Sequence, residues 1–213
     1  MKRAQRVVLE GRHVRIVPLD AASHAASLYN GSQANALWRY LFNGPYTKEA
    51  EFRAWLEGRE KSEDPLFFTI LDRAADAPAG YCSLMRMEPA HRVIEVGNIL
   101  YLPCLQRTAA ATEAMYLLAR YVFEDLGYRR YEWKCDSNNS PSRRAALRLG
   151  FTFEGIFRQH MIVKGKNRDT AWFSMLDSEW GDRKRAFEQW LDPANFDAAG
   201  MQKSALNPAL ALS

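Results

Sequence analysis

The stretch LPCLQRTAAATEAMYLLARYVFEDLG, residues 102–127, decides how the rest of the chain is interpreted. It continues from an apolar run, VIEVGNILYL (Val93–Leu102), which has the composition of a strand. The pattern then predicts an amphipathic helix that begins near Thr108, a good N-cap residue, and stops at Gly127. Its buried face would consist of apolar residues that recur at helical spacing: Met115, Leu118, Ala119, Val122 and Leu126.

The first turn of this predicted helix, Thr108-Ala-Ala-Ala-Thr112, carries no side chain larger than threonine. Small side chains let a ligand approach the free backbone N–H groups, where the helix dipole favours a phosphate group. The same letters are also good helix-forming sequence. This stretch alone therefore leaves two interpretations open, an ordinary helix start and a phosphate-binding loop.

Length and composition indicate one globular domain. The 213 residues can bury one sizeable core, and 47% apolar with 25% charged residues is ordinary for a globular protein. There are 29 basic and 25 acidic residues, which gives a net charge of +4 and a sequence pI of about 9.0. This mildly basic balance suits a polyanionic small ligand as well as nucleic acid, so it does not choose between them.

No run approaches the ~18 apolar residues of a membrane span, and no apolar segment follows the basic start MKRAQRVVLEGR. Cys82, Cys104 and Cys135 lack the spacing of a metal site and are expected to be reduced, mostly buried thiols. We therefore expect a cytoplasmic protein with no signal peptide, no membrane association and no metal.

The remaining patterns predict a single domain over residues 1–192 and a loosely held tail over residues 193–213, where Ala, Asn, Gly and Ser dominate. Strands are predicted at Arg12–Val17, Leu66–Leu71, Tyr81–Glu88, Val93–Leu102, Arg130–Cys135, and in FTFEGIFRQHMIV and DTAWFSML, which the turn-like KGKNR (Lys164–Arg168) joins. Helices are predicted at Ala21–Asn30, from Thr47 to about Lys61, from the N-cap Ser140 to Gly150, and at Ser178–Leu191.

This order of elements resembles the GNAT acyltransferase superfamily, in particular its Rim-type branch of ribosomal-protein N-terminal acetyltransferases. LEGRHVRIVPL (residues 9–19) looks like the opening strand of that branch, and QRTAAATEA (residues 106–114) is similar to its acetyl-CoA loop. CDSNNSPSRRAALRLGFTFEG (residues 135–155) is similar to the Asn-x-x-Ser and Leu-Gly-Phe-x-x-Glu-Gly pattern. The resemblance spans about residues 9–177 and implies an α+β fold: a central, mostly antiparallel sheet of about seven strands with helices on both faces.

The resemblance implies an N-acetyltransferase. The acetyl group would pass from acetyl-CoA to a primary amine, on a protein N-terminus or a small molecule, by direct attack in a ternary complex. In the loop that the resemblance assigns to acetyl-CoA, the glycine usual in the family is replaced by Ala109. The methyl group of this alanine leaves less room for the pyrophosphate to approach the backbone. The alternative is a non-catalytic acyl-CoA sensor or scaffold on the same fold. A nucleic-acid binder ranks low because the basic residues alternate with acids and no RNA or DNA motif is present.

Three residues are the candidates for catalysis. Glu95 is the only acid inside an otherwise apolar strand, and burial would make it a better general base; a glutamate bonded to a neighbouring strand is the alternative. The resemblance implies that Ser142 protonates the leaving sulfur and that Asn139 holds amide groups of acetyl-CoA. The resemblance also implies three groups of cofactor-binding residues. The N–H groups around Leu100, Tyr101 and Leu102 would contact the thioester, and Arg144 (or Arg143) would contact the 3′-phosphate end. The pyrophosphate would bind to the loop of Gln106, Arg107, Thr108, Ala109, Ala110, Ala111 and Thr112.

Acceptor recognition is expected from the aromatic segment that holds Trp38, Tyr40 and Phe42, although aromatic residues at this density are also typical of a core. His160 is a second candidate for acid–base chemistry because of the near-neutral pKa typical of histidine, with a structural role as the alternative. A homodimer is expected from the exposed aromatic and C-terminal segments.

Overall fold

A computed structural model describes residues 2–207 and contains one eight-stranded sheet in the order β1-β2-β3-β4-β5-β6-β8-β7. The strands are β1 (Leu9–Glu10), β2 (Val14–Pro18), β3 (Leu66–Asp72), β4 (Ala77–Glu88), β5 (Val93–Tyr101), β6 (Arg130–Asp136), β7 (Thr152–Val163) and β8 (Lys166–Leu176). The helices are α1 (Ala21–Gly31), α2 (Glu49–Glu60), α3 (Ala109–Arg120), α4 (Ser140–Arg148) and α5 (Asp177–Leu191). All strand pairs are antiparallel except β5 with β6.

The predicted α+β fold with helices on both faces of the sheet is confirmed. One face packs α3, α4 and α5 over the larger core, and the other packs α1, α2 and the aromatic segment over a smaller one. Alternation along β3 explains this division, because Phe68 points into the larger core and Phe67 into the smaller. The sheet has eight strands and not about seven because Leu9–Glu10 adds a two-residue strand beside β2.

Two helix N-termini form as the sequence predicts. The Asp20 carboxylate caps α1, and the Thr108 hydroxyl caps α3 by accepting the Ala111 N–H at 3.1 Å. The cap of α4 differs from the prediction. Asn139, not Ser140, is the N-cap residue, because its Oδ1 accepts the Ser142 N–H at 3.2 Å.

The helix predicted to run to Gly127 changes its hydrogen bonding before it ends. The regular helix α3 stops at Arg120, and residues 121–125 form a single π turn in which the Leu126 N–H donates to the Tyr121 carbonyl at 3.0 Å. Gly127 then adopts a φ of 68°, which a glycine tolerates readily, and the chain turns into β6.

The expected loose tail is packed as far as Asn207. Leu206 is buried in the larger core, and the Asn207 amide donates to the Leu147 carbonyl at 3.3 Å. Trp190 of α5 donates from its indole N–H to the Gln202 side chain at 2.9 Å. Apolar and amide groups within residues 193–207 thus find partners on α4 and α5. The part of the predicted loose tail at residues 208–213 lies outside the described part of the chain.

Strand β5 contains an irregularity that positions the site. Asn98 has a φ of 50°, and the register against β4 shifts by one residue at this point. As a result Val96 packs in the larger core, whereas Leu100, four residues later, packs in the smaller one. The Asn98 side chain donates to the Ser83 hydroxyl at 2.9 Å and holds this bulge in place.

Candidate active site

The sheet splits open between β5 and β6. The two strands pair only from Val93–Val96 against Arg130–Trp133, while β5 stays paired with β4 as far as Tyr101 and β6 stays paired with β8 as far as Asp136. Beyond Val96 the facing edges of the two strands therefore lack their ladder partners. Such an edge offers free backbone donors and acceptors to a ligand.

A cleft of about 460 Å³ occupies this opening. The aromatic segment, the start of α4 and the β7–β8 hairpin complete its walls. Of the residues that the sequence singles out, it is lined by Tyr40, Phe42, Glu95, Leu100, Tyr101, Gln106, Asn139, Ser142 and His160. The candidate catalytic residues thus share one cleft although they are distributed over β5, the β6–α4 connection, α4 and β7.

Glu95 is 3% exposed, and it is not the isolated acid that its apolar strand suggests. Its carboxylate receives Arg86 Nη1 at 2.6 Å and Lys134 Nζ at 2.9 Å. Lys134 also contacts Glu132 at 2.7 Å, and its ammonium lies 3.8 Å from the ring centroid of Trp172. Cations from the neighbouring strands β4 and β6 therefore compensate the charge of Glu95, as in the alternative of a glutamate bonded to a neighbouring strand.

Ser142 lies in the first turn of α4, where its hydroxyl oxygen accepts the Trp133 indole N–H at 3.0 Å. An indole N–H can only donate, so the hydroxyl hydrogen of Ser142 stays available for another acceptor. The buried Cys135 thiol lies beside this hydroxyl, and burial raises the pKa of that thiol. Asn139 reaches the same cleft, but its side-chain oxygen is engaged as the helix cap.

Only one of the three N–H groups predicted around Leu100–Leu102 points into the opening. The Leu102 N–H donates to the Ala79 carbonyl of β4 at 2.9 Å. N–H groups alternate sides along an antiparallel strand, so the Leu100 N–H also points toward β4 and the Tyr101 N–H toward the open edge. The N–H groups of Leu100 and Leu102 are thus paired with β4, and that of Tyr101 is directed toward the cleft.

The mouth of α3 presents two unpartnered backbone donors. Among residues 2–207, the N–H groups of Ala109 and Ala110 have no hydrogen-bond acceptor. The Ala111 N–H is taken by the cap, and Thr112 is buried with its hydroxyl accepting Arg148 Nη1 at 3.0 Å. The side chain of Thr112 therefore joins α3 to α4 and does not face a ligand.

The other residues predicted at the nucleotide end are exposed. The side-chain amide of Gln106 donates to the Tyr101 carbonyl at 2.9 Å, next to the open strand edge. Arg107 has a φ of 61°, an uncommon conformation for a residue with a side chain, and stands immediately before the α3 cap. Arg144 is an exposed residue of α4 without a hydrogen bond to the described part of the chain.

The residues of the aromatic segment divide between the smaller core and the cleft. Trp38 is 2% exposed, packs in the smaller core and donates to the Ser32 carbonyl at 2.8 Å, so its prediction as a wall of the acceptor channel is wrong. Tyr40 and Phe42 do line the cleft. The Lys164 ammonium donates to the carbonyls of Trp38 and Asn43 at 2.8 and 3.0 Å, and this ties the β7–β8 turn to the aromatic segment.

His160 lies on β7 at the edge of the cleft, where its Nδ1 is 2.9 Å from the Thr170 hydroxyl. Phe157 contacts the imidazole edge-on, with 5.6 Å between the ring centroids. The second ring nitrogen, Nε2, has no hydrogen bond to any of residues 2–207. This histidine is therefore oriented by one bond and keeps one nitrogen free.

Arg168 is a cleft residue that sequence reasoning missed. It was assigned to the turn-like KGKNR, but the turn ends at Gly165 and β8 begins at Lys166. The third residue of the strand points into the cleft, where the Arg168 side chain is 7% exposed and stacks on Phe42 with 4.9 Å between the guanidinium carbon and the ring centroid. The alternation of DTAWFSML, extended one residue toward the N-terminus, is the signal that could have found it.

Two further findings concern the described residues as a group. None of their helices is long and apolar enough to cross a membrane. Within residues 2–207, no three His, Cys, Asp or Glu side chains are grouped so that they could hold a metal ion.

Comparison with known proteins assigns this geometry to a family. A family model described as an acetyltransferase (GNAT) domain matches residues 13–152. The crystal structure of a GCN5-related N-acetyltransferase from Brucella melitensis is 52% identical, covers 96% of this chain and 94% of its own, and superposes with a TM-score of 0.94. A probable GNAT-family acetyltransferase from Chromobacterium violaceum is 41% identical, with 84% and 91% coverage and a TM-score of 0.80.

A curated relative, the ribosomal-protein-serine acetyltransferase of Escherichia coli, is 25% identical over 167 residues, which are 75% of this chain and 91% of that protein. The family model covers most of the chain, and the Brucella structure matches nearly its whole length. The chain is an acetyltransferase and belongs to the GNAT family.

Proposed function

We propose that this chain is an acetyl-CoA-dependent N-acetyltransferase that acetylates a primary amine by direct attack within a ternary complex. The observation that carries the proposal is the split between β5 and β6, because it exposes backbone donors beside Glu95 and Ser142 in one cleft. When bound, acetyl-CoA supplies the acetyl thioester. The residues present fit this cosubstrate, since an open strand edge suits an extended amide-bearing chain and unpartnered N–H groups suit a pyrophosphate.

The mouth of α3 is the proposed site of the pyrophosphate. The unpartnered N–H groups of Ala109 and Ala110 lie at the positive end of the α3 dipole, and both features favour an anion. Arg107 and Gln106 stand at the same mouth and would add side-chain donors. Arg144, on the exposed side of α4, is the proposed contact for the 3′-phosphate.

The Tyr101 N–H is the proposed donor for the oxygen that gains negative charge during acyl transfer. Its neighbours Leu100 and Leu102 are committed to β4, so this group alone of the three predicted donors remains. A backbone donor in a paired strand is fixed before the reaction, and a fixed donor costs no reorganisation as charge develops.

Ser142 is the proposed proton donor to the leaving sulfur. Trp133 occupies an acceptor site on the hydroxyl oxygen, so the hydroxyl hydrogen is directed away from the indole. The start of α4 also places the positive end of a helix dipole at this position, which favours a thiolate. Asn139 caps that helix and would hold an amide of the cosubstrate with its side-chain NH₂ group, which has no other partner among residues 2–207.

Glu95 is the proposed acceptor of the amine proton, with His160 as the alternative. An α-amine has a pKa near ~7.7–8.0 and lysine near ~10.4, so a protein N-terminus needs only a modest base. Arg86 and Lys134 fix the position of the Glu95 carboxylate, and a fixed carboxylate orients an amine as well as receiving its proton. His160 has a free ring nitrogen at the same cleft.

The acceptor is proposed to be either a protein N-terminus or a small-molecule amine. The relative from Escherichia coli is named for a ribosomal protein, which supports a protein acceptor. Location in the cytoplasm, which cell fractionation would test, remains an expectation from the composition.

The experiment that tests the proposal combines binding and turnover. Isothermal titration with acetyl-CoA is expected to give saturable binding. Thiol release is then followed against N-terminal peptides, polyamines, amino acids and aminoglycosides, with products identified by mass spectrometry. Binding without thiol release against any amine would support the non-catalytic acyl-CoA sensor instead.

Substitutions of Ser142 and Glu95 test the catalytic roles proposed for these residues. Ser142→Ala and Glu95→Gln are each expected to lower kcat by about 10²-fold, the usual size of a general acid or base contribution. Ser140→Ala is the matched control for Ser142→Ala, because Ser140 is an exposed serine two residues earlier on the same helix. Glu57→Gln, an exposed glutamate of α2, is the control for Glu95. Full activity in both Ser142→Ala and Glu95→Gln would refute the proposed mechanism.

A homodimer is proposed from the outer edge of the sheet. Among residues 2–207, no strand lies beyond β7 in the sheet. Four large apolar residues of this strand are exposed: Phe153, Ile156, Phe157 and Ile162. Light scattering of Ile162→Lys beside the unmodified chain tests this, and a monomer in both would contradict it.

A further inference from the structure

Arg168 carries a positive charge that no group in the described part of the chain pairs by a hydrogen bond or an ion pair. Its side chain is 7% exposed, its Nε is sealed from solvent, and none of its guanidinium nitrogens donates a hydrogen bond to residues 2–207. Burial lowers the pKa of this guanidinium from its ordinary value, although an arginine stays charged in proteins. A buried charged side chain without hydrogen bonds is costly, so its retention in the cleft calls for a partner.

The groups that face Arg168 leave room for that partner. Phe42 stacks on the guanidinium face, and the five N–H donors of a guanidinium lie in its plane, away from the stacked ring. Asp136 and Glu95 attract it and Arg86 repels it, but neither carboxylate lies within ion-pair distance of 4.0 Å. The in-plane donors are therefore free on the side that lines the cleft.

The position of Arg168 assigns it to the acceptor and not to the nucleotide. Arg168 lies two residues before Thr170, which pairs with Asp136 at the end of β6, and it contacts the aromatic segment. Strand alternation places Arg168, Thr170 and Trp172 on one face of β8, which is the face that holds Lys134 and Glu95. The proposed pyrophosphate site at the mouth of α3 is formed by other elements.

We propose that Arg168 binds a carboxylate of the acceptor, so that the enzyme acetylates amines that also carry a carboxylate. Such acceptors are free amino acids or peptides with an acidic residue beside the N-terminus. The guanidinium fork matches a carboxylate with two parallel hydrogen bonds. A singly charged group fits better than a phosphate dianion because Asp136 already stands nearby.

This inference rests on the proposed function, and matched acceptor pairs test it. One pair is Ser-Asp and Ser-Asn at the start of otherwise identical peptides; the other is an amino acid and its amide. We expect the carboxylate member of one pair to have a kcat/KM at least about tenfold higher, the size of a typical charge-assisted contact. The pair that shows the preference identifies the source of the carboxylate.

Variants show whether Arg168 creates the preference. Arg168→Met should abolish it mainly through KM, and Arg168→Lys, which keeps the charge but loses the fork, should retain part of it. Arg158→Met removes an exposed arginine of the same hairpin and should retain all of it. Thermal unfolding and acetyl-CoA affinity of each variant separate a binding role from a folding defect, since a merely structural role would change the unfolding midpoint and not the acceptor preference.

A binding measurement decides the inference even without turnover. With CoA present, titration of both pairs should give tighter binding of the carboxylate member in one of them, and Arg168→Met should remove the difference. Equal binding within both pairs, or a preference that survives in Arg168→Met, would overturn the inference. Failure of the proposed function has a different signature, which is Arg168-dependent binding of the carboxylate member without acetylation of any amine.

Discussion

Replacing Lys134 by methionine removes a cation that two carboxylates share. The Lys134 side chain is 6% exposed, and its ammonium contacts Glu95 at 2.9 Å and Glu132 at 2.7 Å. Glu95 and Glu132 are directly paired across β5 and β6, so their charges face each other when the ammonium is gone. Methionine keeps the length and the apolar stem of lysine, which restricts the change mainly to the charge.

The size of the effect follows from the contacts that remain. Removing one partner of a buried ion pair costs about 3–5 kcal/mol, and the contact with Trp172 adds roughly 1 kcal/mol. Glu95 keeps Arg86 at 2.6 Å and Glu132 keeps Arg130 at 2.6 Å, which offsets part of the loss. We therefore expect a decrease of about 3 kcal/mol in the free energy of unfolding at neutral pH, equivalent to roughly 6–12 °C in Tm for a chain of this size.

Urea unfolding at neutral pH, followed by tryptophan fluorescence, measures this change as the difference in the free energy of unfolding between the variant and the unmodified chain.

Lys184→Met is the matched control. Lys184 pairs with Glu124 at 2.8 Å, but both side chains are more than a third exposed, and pairs of this kind contribute little. Its unfolding midpoint should be close to that of the unmodified chain. A deficit in Lys134→Met below about 1 kcal/mol would refute the reasoning that Lys134 compensates two facing carboxylates.

Three further predictions concern the support of the site. Glu113→Ala should lower the free energy of unfolding by about 3 kcal/mol in urea titration, because the carboxylate accepts three backbone N–H bonds at 2.8, 2.6 and 2.9 Å from residues 12–14, and Glu113→Gln should lose less. Ala109→Gly should tighten acetyl-CoA binding about two- to fivefold in isothermal titration, because it removes a methyl group from the start of α3. It should lower the free energy of unfolding by at most about 1 kcal/mol, because glycine weakens the helix start. Unchanged affinity would contradict the steric argument. With a thiol reagent, the native protein should show one fast-reacting thiol, the exposed Cys104, because burial raises the pKa of Cys82 to about 12 and also raises that of Cys135; three fast thiols would contradict it.

Local signals predicted most of the fold. The apolar alternation and turn residues placed β3, β4 and β5, and single capping residues such as Asp20 and Thr108 placed the helix starts correctly. These features are determined by neighbours along the chain, so sequence contains them. The packing of residues 193–207 was missed because it depends on contacts with α4 and α5 that no local pattern records.

The candidate site was predicted less completely than the fold. Positions that the motifs mark, such as Ser142 and Glu95, do meet in the cleft. Their partners were missed because they come from other strands: Lys134 and Arg86 for Glu95, and Trp133 for Ser142. Trp38 was misassigned for the related reason that aromatic residues of one segment divide between core and cleft only once the chain has folded.

The bulge at Asn98 connects these observations. An extra residue in β5 reverses the alternation, so Glu95 faces the cleft before the bulge and the side chain of Leu100 faces the same side after it. The same residue ends the pairing of β5 with β6 and directs the Tyr101 N–H into the opening. Gly97 precedes it, and a side chain there would meet the Met85 sulfur at 2.6 Å. A Gly-Asn pair inside an apolar strand is thus the sequence signal that could have located the opening.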